Sequence, residues 1–162
     1  MNKKLLGIYL NDHLAGSTVG LELAKRARGQ NRDSDYGVFL STIADEIEAD
    51  RETLKGIMDD LGIRKDPAKV AAGWIGEKAG RLKLNGQLTG YSPLSRLVEL
   101  EALALGVTGK LALWKSLRLL ADSEPALDGP TLERLIERAE SHQRGLEERR
   151  LTAAKEALGA EA

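Results

Sequence analysis

Residues 38–61 read VFLSTIADEIEADRETLKGIMDDL, and their spacing decides the fold. Ile43, Ile47, Leu54, Ile57 and Leu61 recur at steps of four and three, the period of one face of an α-helix. Asp50 fills the one gap in that stripe. A carboxylate on a buried face must be paired, neutralised or bound, because an isolated buried charge is strongly disfavoured.

Working outward, Lys3 to Arg28 carries the same period. Leu6, Tyr9, Leu10, Leu21, Leu23 and Ala24 fall on one side, and Asn11, Glu22 and Arg26 on the other. Gly16, Ser17 and Gly20 flatten the inner face. Glycine costs about 1 kcal/mol in a helix interior relative to alanine, so close approach of a neighbouring backbone is the expected compensation. Gly29 is expected to end this helix at positive φ. Asn31 to Asp35 forms a polar turn, with Ser34 or Asp35 capping the next helix. Gly62 followed by Ile63 predicts a Schellman ending for that helix.

Asp66-Pro67 and Ser92-Pro93 each pair a cap with a proline at the first helical position. A shorter helix is expected over 67–84, with Val70, Trp74 and Ile75 inward. The next, over 93–121, is apolar around nearly its whole circumference, which predicts burial on more than one side. Pro130 opens the last. The expected helices are thus 3–28, 36–61, 67–84, 93–121 and 130–158, in one all-α domain spanning 1–162. β-branched residues and period-two runs are too scarce for a strand.

Each long helix would extend about 40 Å at 1.5 Å per residue. Short turns make the first two antiparallel, and likewise the last two. The helix over 67–84 is long enough, with its flanks, to carry the chain back along the bundle. That arrangement is two antiparallel hairpins joined by a long crossover, with the third long helix parallel to the second. The alternative places the middle helix across one end of an up-down-up-down bundle.

The bulk composition removes several functions. The 24 basic and 25 acidic residues leave a net charge of -1, which argues against a dedicated nucleic-acid binder. The absence of cysteine excludes disulfides, thiol catalysis, iron–sulfur clusters and thiolate zinc sites. The apolar run near the N-terminus breaks at Asn11, Asp12 and His13, unlike a signal peptide. No stretch approaches the ~20 apolar residues of a membrane span. The expectation is a cytoplasmic protein without membrane or nucleic-acid partners. No phosphate loop, nucleophile–base pair or zinc motif is present.

Polar residues on apolar faces mark candidate sites. They are His13 on the first long helix, and Asp50 with Glu46 at its border on the second. Glu101, Thr108 and Lys115 recur on the third, and Gln143 and Arg150 interrupt the fourth with His142 at its edge. Counted from the turns, His13 faces Asp50, and the crossover brings Glu101, Gln143 and Arg150 to the same section. One reading is a structural network of His13 with Asp50, and Glu101 with Arg150 or Lys115. Another is a divalent metal, iron, manganese or zinc, held by His13, Glu46, Asp50 and Glu101 with His142 as a further ligand. Arg150 and Lys115 weigh against a metal. A small-molecule pocket in the bundle core is the third reading.

The stretches Tyr9-Leu10-Asn11-Asp12-His13-Leu14, Ile43 to Asp50, and Leu97-Val98-Glu99-Leu100-Glu101 resemble those of bacterial ferritin-like four-helix bundles. The resemblance implies the crossover architecture over nearly the whole chain. Metal-binding members carry one glutamate on each of two helices and Glu-x-x-His on each of the others. Here Leu10 and Ala139 stand three residues before His13 and His142, so that ligand pattern is absent. The expected protein is a non-catalytic ferritin-like bundle acting through binding or assembly. Its apolar third helix and glycine-rich faces suit a homodimer. The alternative is a metal-binding bundle with a carboxylate and histidine site.

Overall fold

The computed structural model describes residues 1–67 and 91–159. They form four long helices and no strand: α1 Lys3–Gln30, α2 Asp35–Asp60, α3 Pro93–Ala121 and α4 Gly129–Leu158. The short helix expected over 67–84 lies outside the described residues, Pro67 apart. Among the described residues, no helix is long and apolar enough to cross a membrane.

Local chemistry sets the helix ends. The side chains of Asn2, Ser92 and Asp128 accept from the backbone N–H of Leu5, Ser95 and Thr131, so each satisfies a donor that its helix leaves free. The Schellman ending of α2 forms as expected: Gly62 has φ 64°, its N–H donates to Asp59 O, and the N–H of Ile63 donates to Met58 O at 2.7 Å. Gly29 does not end α1. The helix runs on through Gln30, and its cap, Asn31, has φ -116°. Ser34 is the N-cap residue of α2, but its hydroxyl donates to Asn31 O instead of accepting from the helix.

Contacts between the hairpins fix the direction of each helix. At one end, Tyr9 OH lies 3.4 Å from Ser116 Oγ. At the other, Arg26 Nε lies 2.9 Å from Glu99 Oε1, and Arg96 Nε donates to Asn31 Oδ1 at 2.7 Å. So α3 runs antiparallel to α1 and parallel to α2. The chain leaves α2 at one end of the bundle and enters α3 at the other, the direction expected of a crossover and not of an up-down-up-down bundle.

A buried asparagine stands at each end. Asn11 donates from Nδ2 to Gly7 O and Arg64 O and accepts from the N–H of Asp66 at 2.7 Å. It was expected on the outer side of α1, but is 7% exposed, because the segment after α2 folds back over it. At the opposite end, Asn31 donates to Ala27 O and Tyr91 OH and accepts from Arg96.

Buried apolar side chains form two clusters. One gathers Leu10, Leu14, Leu54, Met58, Trp114 and Leu132, and the other Leu21, Leu40, Ile43, Leu100, Val107 and Leu146. The level of Asp50 separates them. As expected, α3 is buried on more than one side, packing against both α4 and α1, but not around its whole circumference. Leu105 is 75% and Leu119 82% exposed, so its apolar circumference includes a solvent face.

Candidate functional site

Three helices each place one polar residue in their buried stripe at the same level. On α2, Asp50 follows Ile43 and Ile47 and precedes Leu54 and Met58. On α3, Lys110 lies between Leu103 and Val107 on one side and Trp114 and Leu117 on the other. On α4, His142 lies between Ala139 and Leu146. Helical spacing of three and four turns all of them toward the bundle axis.

Asp50 is 3% exposed. Lys110 Nζ donates to its Oδ2 at 2.6 Å, and Arg138 donates to its Oδ1. Lys110 Nζ also lies 2.9 Å from His142 Nδ1, and His142 Nε2 meets Glu46 Oε2. A lysine ammonium only donates, so Nδ1 accepts and Nε2 carries the proton toward Glu46. Burial, and then the neighbouring Lys110 charge, hold the His142 pKa below its ordinary value, against the opposing pull of Glu46 and Asp50. Burial likewise lowers the pKa of Lys110, with Asp50 opposing. The two acids, the two cations and a neutral imidazole form a charge-balanced set, in which Arg138 Nε alone is buried without a partner among the described residues.

The ammonium of Lys110 touches a carboxylate oxygen and an imidazole nitrogen, the donors a divalent metal would take. Among the described residues, no three His, Asp or Glu side chains are gathered to hold a metal ion. Asp50, Glu46 and His142 belong to the Lys110 network. His13 is not the partner of Asp50: both line one cavity, but the carboxylate is held by Lys110 and Arg138, and His13 packs edge-on against Tyr9 at 4.5 Å. Burial lowers the His13 pKa, with Asp12 opposing.

Glu101 stands outside the core with its side chain 48% exposed, 3.7 Å from Arg150 NH1. That pairing was expected, but on the surface it has little energetic weight. Arg150 also pairs with Glu147 at 2.7 Å, Lys115 with Glu140 at 2.9 Å, and Gln143 donates to Thr108 at 3.0 Å. The seven-residue series Glu101, Thr108, Lys115 therefore marks the outer side of α3. Sequence reasoning missed Lys110 and Arg138. For Lys110 a signal existed: it fills the gap between Val107 and Trp114 just as Asp50 fills its own.

Beside this polar layer lies a cavity of about 240 Å³ between α1, α2 and α3. Gly16 and Gly20 of α1 and Gly106 and Gly109 of α3 line it. A Cβ added at any of these glycines meets no described atom within 4 Å. Among the described residues, no backbone makes the expected close approach at Gly16 and Gly20, and the missing side chains leave space toward them. Two buried donors among the lining residues have no hydrogen-bond partner among the described residues: Trp114 Nε1 and Arg51 Nε. Trp114 is 1% exposed. The rest of the Arg51 guanidinium contacts Thr18 at 3.3 Å and Glu52 at 3.5 Å.

Comparison with protein-family models, with curated proteins and with solved structures finds no match.

Proposed function

We propose that the chain is a non-catalytic, ferritin-like helical bundle that acts through binding and assembly. The observation that carries this reading is the seat of Lys110, whose ammonium holds Asp50 at 2.6 Å and His142 at 2.9 Å. A divalent metal on those donors would have to displace a buried, paired cation and would meet Arg138 beside it. The parallel course of α2 and α3 and the long connection between them support the ferritin-like arrangement. The outer face of α3, with Leu105 and Leu119 exposed, supports assembly with a second copy of the chain.

Elemental analysis tests the first part. Protein grown with added iron, manganese and zinc is expected to purify with far less than one metal per chain. Stoichiometric metal that disappears in a Glu46→Ala, His142→Ala double variant would overturn it. Light scattering tests the second part: a dimer is expected, converted to monomer by Leu105→Glu with Leu119→Glu. A monomeric parent chain would sink the assembly claim.

A further inference from the structure

We propose that two copies of the chain meet through α3 in antiparallel fashion, with Glu101 of each copy beside Lys115 of the other. This rests on the assembly reading above and gives it a direction and a register. The outer side of α3 repeats every seven residues. Val98, Leu105, Ala112 and Leu119 form one exposed row. Leu94, Glu101, Thr108 and Lys115 form a second exposed row beside it. Together the rows alternate at steps of four and three, the spacing of a seam between two helices. Leu100, Val107, Trp114 and Leu117, which α3 buries in its own bundle, lie on the other side of the helix. A seven-residue row drifts by about 20° per repeat on a straight helix, so a partner that winds around α3 follows it from end to end.

The charges decide what covers the seam and in which direction. Glu101 and Lys115 stand one repeat before and one repeat after Thr108, and both are half-exposed. Each has a partner on α4, Arg150 at 3.7 Å and Glu140 at 2.9 Å. Those partners do not cancel the polarity, because Glu147 acts on Arg150 and Arg144 on Glu140. The group around Glu101 holds two acids and one base, and the group around Lys115 two bases and one acid. A parallel pair of α3 helices would set like charge against like at both ends, whereas an antiparallel pair sets unlike against unlike twice. The apolar positions agree. With Leu105 opposite Thr108 of the second copy, Leu94 falls opposite Leu119, and Glu101 opposite Ala112, less than one helical turn from Lys115. All eight positions of the seam are then matched by the same eight positions. A surface complementary to itself takes a second copy as its occupant, and the two-fold relation closes it as a dimer.

The chain has no cysteine, so introduced ones report without background. Leu94→Cys and Leu119→Cys are placed in separate chains with tags of different length, then mixed and mildly oxidised. The expected product is the disulfide that joins one variant to the other. Like cysteines in this antiparallel pair would stand about 37 Å apart at 1.5 Å per residue. Each charge reversal alone, Glu101→Lys or Lys115→Glu, should weaken dimerisation about tenfold in sedimentation equilibrium, and both reversals in one chain should restore it. A parallel pair would show no such loss and would join each variant to itself. Disulfides between like variants, a stable dimer that forms no disulfide, or single reversals without effect would each overturn the arrangement and leave assembly itself standing. A parent chain that stays monomeric overturns both, and light scattering reads that outcome before any variant is made.

Discussion

Lys110 on α3 and Asp50 on α2 meet at 2.6 Å across the centre of the bundle, although their helices do not pack directly against one another. The pair bridges a diagonal that aliphatic side chains fill above and below. Its energetics are those of a buried ion pair: breaking it is costly, while replacing it whole is not.

Asp50→Ala should therefore destabilise the fold by about 3–5 kcal/mol, because Lys110 and Arg138 lose their common acceptor. Asp50→Leu combined with Lys110→Met should recover most of that loss, since Arg138 is 32% exposed and can turn to water. Urea unfolding followed by circular dichroism provides the comparison. Equal losses in the single and double variants would show that the pair is not what the layer depends on.

Acid should weaken the fold through its histidines. Burial lowers the pKa of both His13 and His142 from 6.5 in the folded chain. The unfolded chain then binds more protons below pH 6.5, so their contribution is fully present above that value and declines as pH falls toward the folded pKa values. For the nearly inaccessible His142 the slope is at most ~1.4 kcal/mol per pH unit. Urea midpoints between about pH 5 and 7 should show the decline, and His142→Gln should flatten it. An unchanged slope in that variant would remove His142 from the account.

The ease of reading differed among the helices for a physical reason. On α2, polar and apolar residues alternate sharply, so Asp50 stood out against its stripe. On α3, leucines also face solvent, Leu105 and Leu119 among them, and apolarity no longer separates inside from outside. By pattern alone Glu101, Thr108 and Lys115 therefore read as core positions, and Lys110 does not stand out. Helix ends were legible because caps and prolines act locally. Counting from the turns placed His13 near the level of Asp50, but a level does not specify which way a side chain faces. Asn11 was unreadable because its partners, Arg64 and Asp66, belong to a distant segment.

Two glycines should respond differently to alanine. Gly62→Ala forces a side chain into φ 64°, a cost of about 1–2 kcal/mol. At Gly37 an added Cβ would lie 2.3 Å from the carbonyl oxygen of Asn31, which is backbone and cannot swing aside. Gly37→Ala should thus cost more, about 2 kcal/mol or above, through displacement of the α1–α2 turn. Thermal midpoints in the reverse order would contradict this.

Asn11→Ala should loosen the chain just after α2. The Asp66 N–H and Arg64 carbonyl lose their partner, a loss of about 2 kcal/mol. Amide exchange at Asp66 should accelerate while that of Leu40, in the other apolar cluster, changes only with global stability. Unaltered protection at Asp66 would mean that other contacts hold the segment.

The polar layer also sorts its charges by hairpin. Asp50 and Glu46 come from the first, and Lys110, Arg138 and His142 from the second. Each half of the chain thereby carries an address that only the other half can answer. Two first hairpins brought together would confront carboxylate with carboxylate, and two second hairpins cation with cation. Hydrophobic stripes alone would allow either mismatch. The layer makes the halves choose one another, and hairpins supplied as separate chains should mate as unlike pairs.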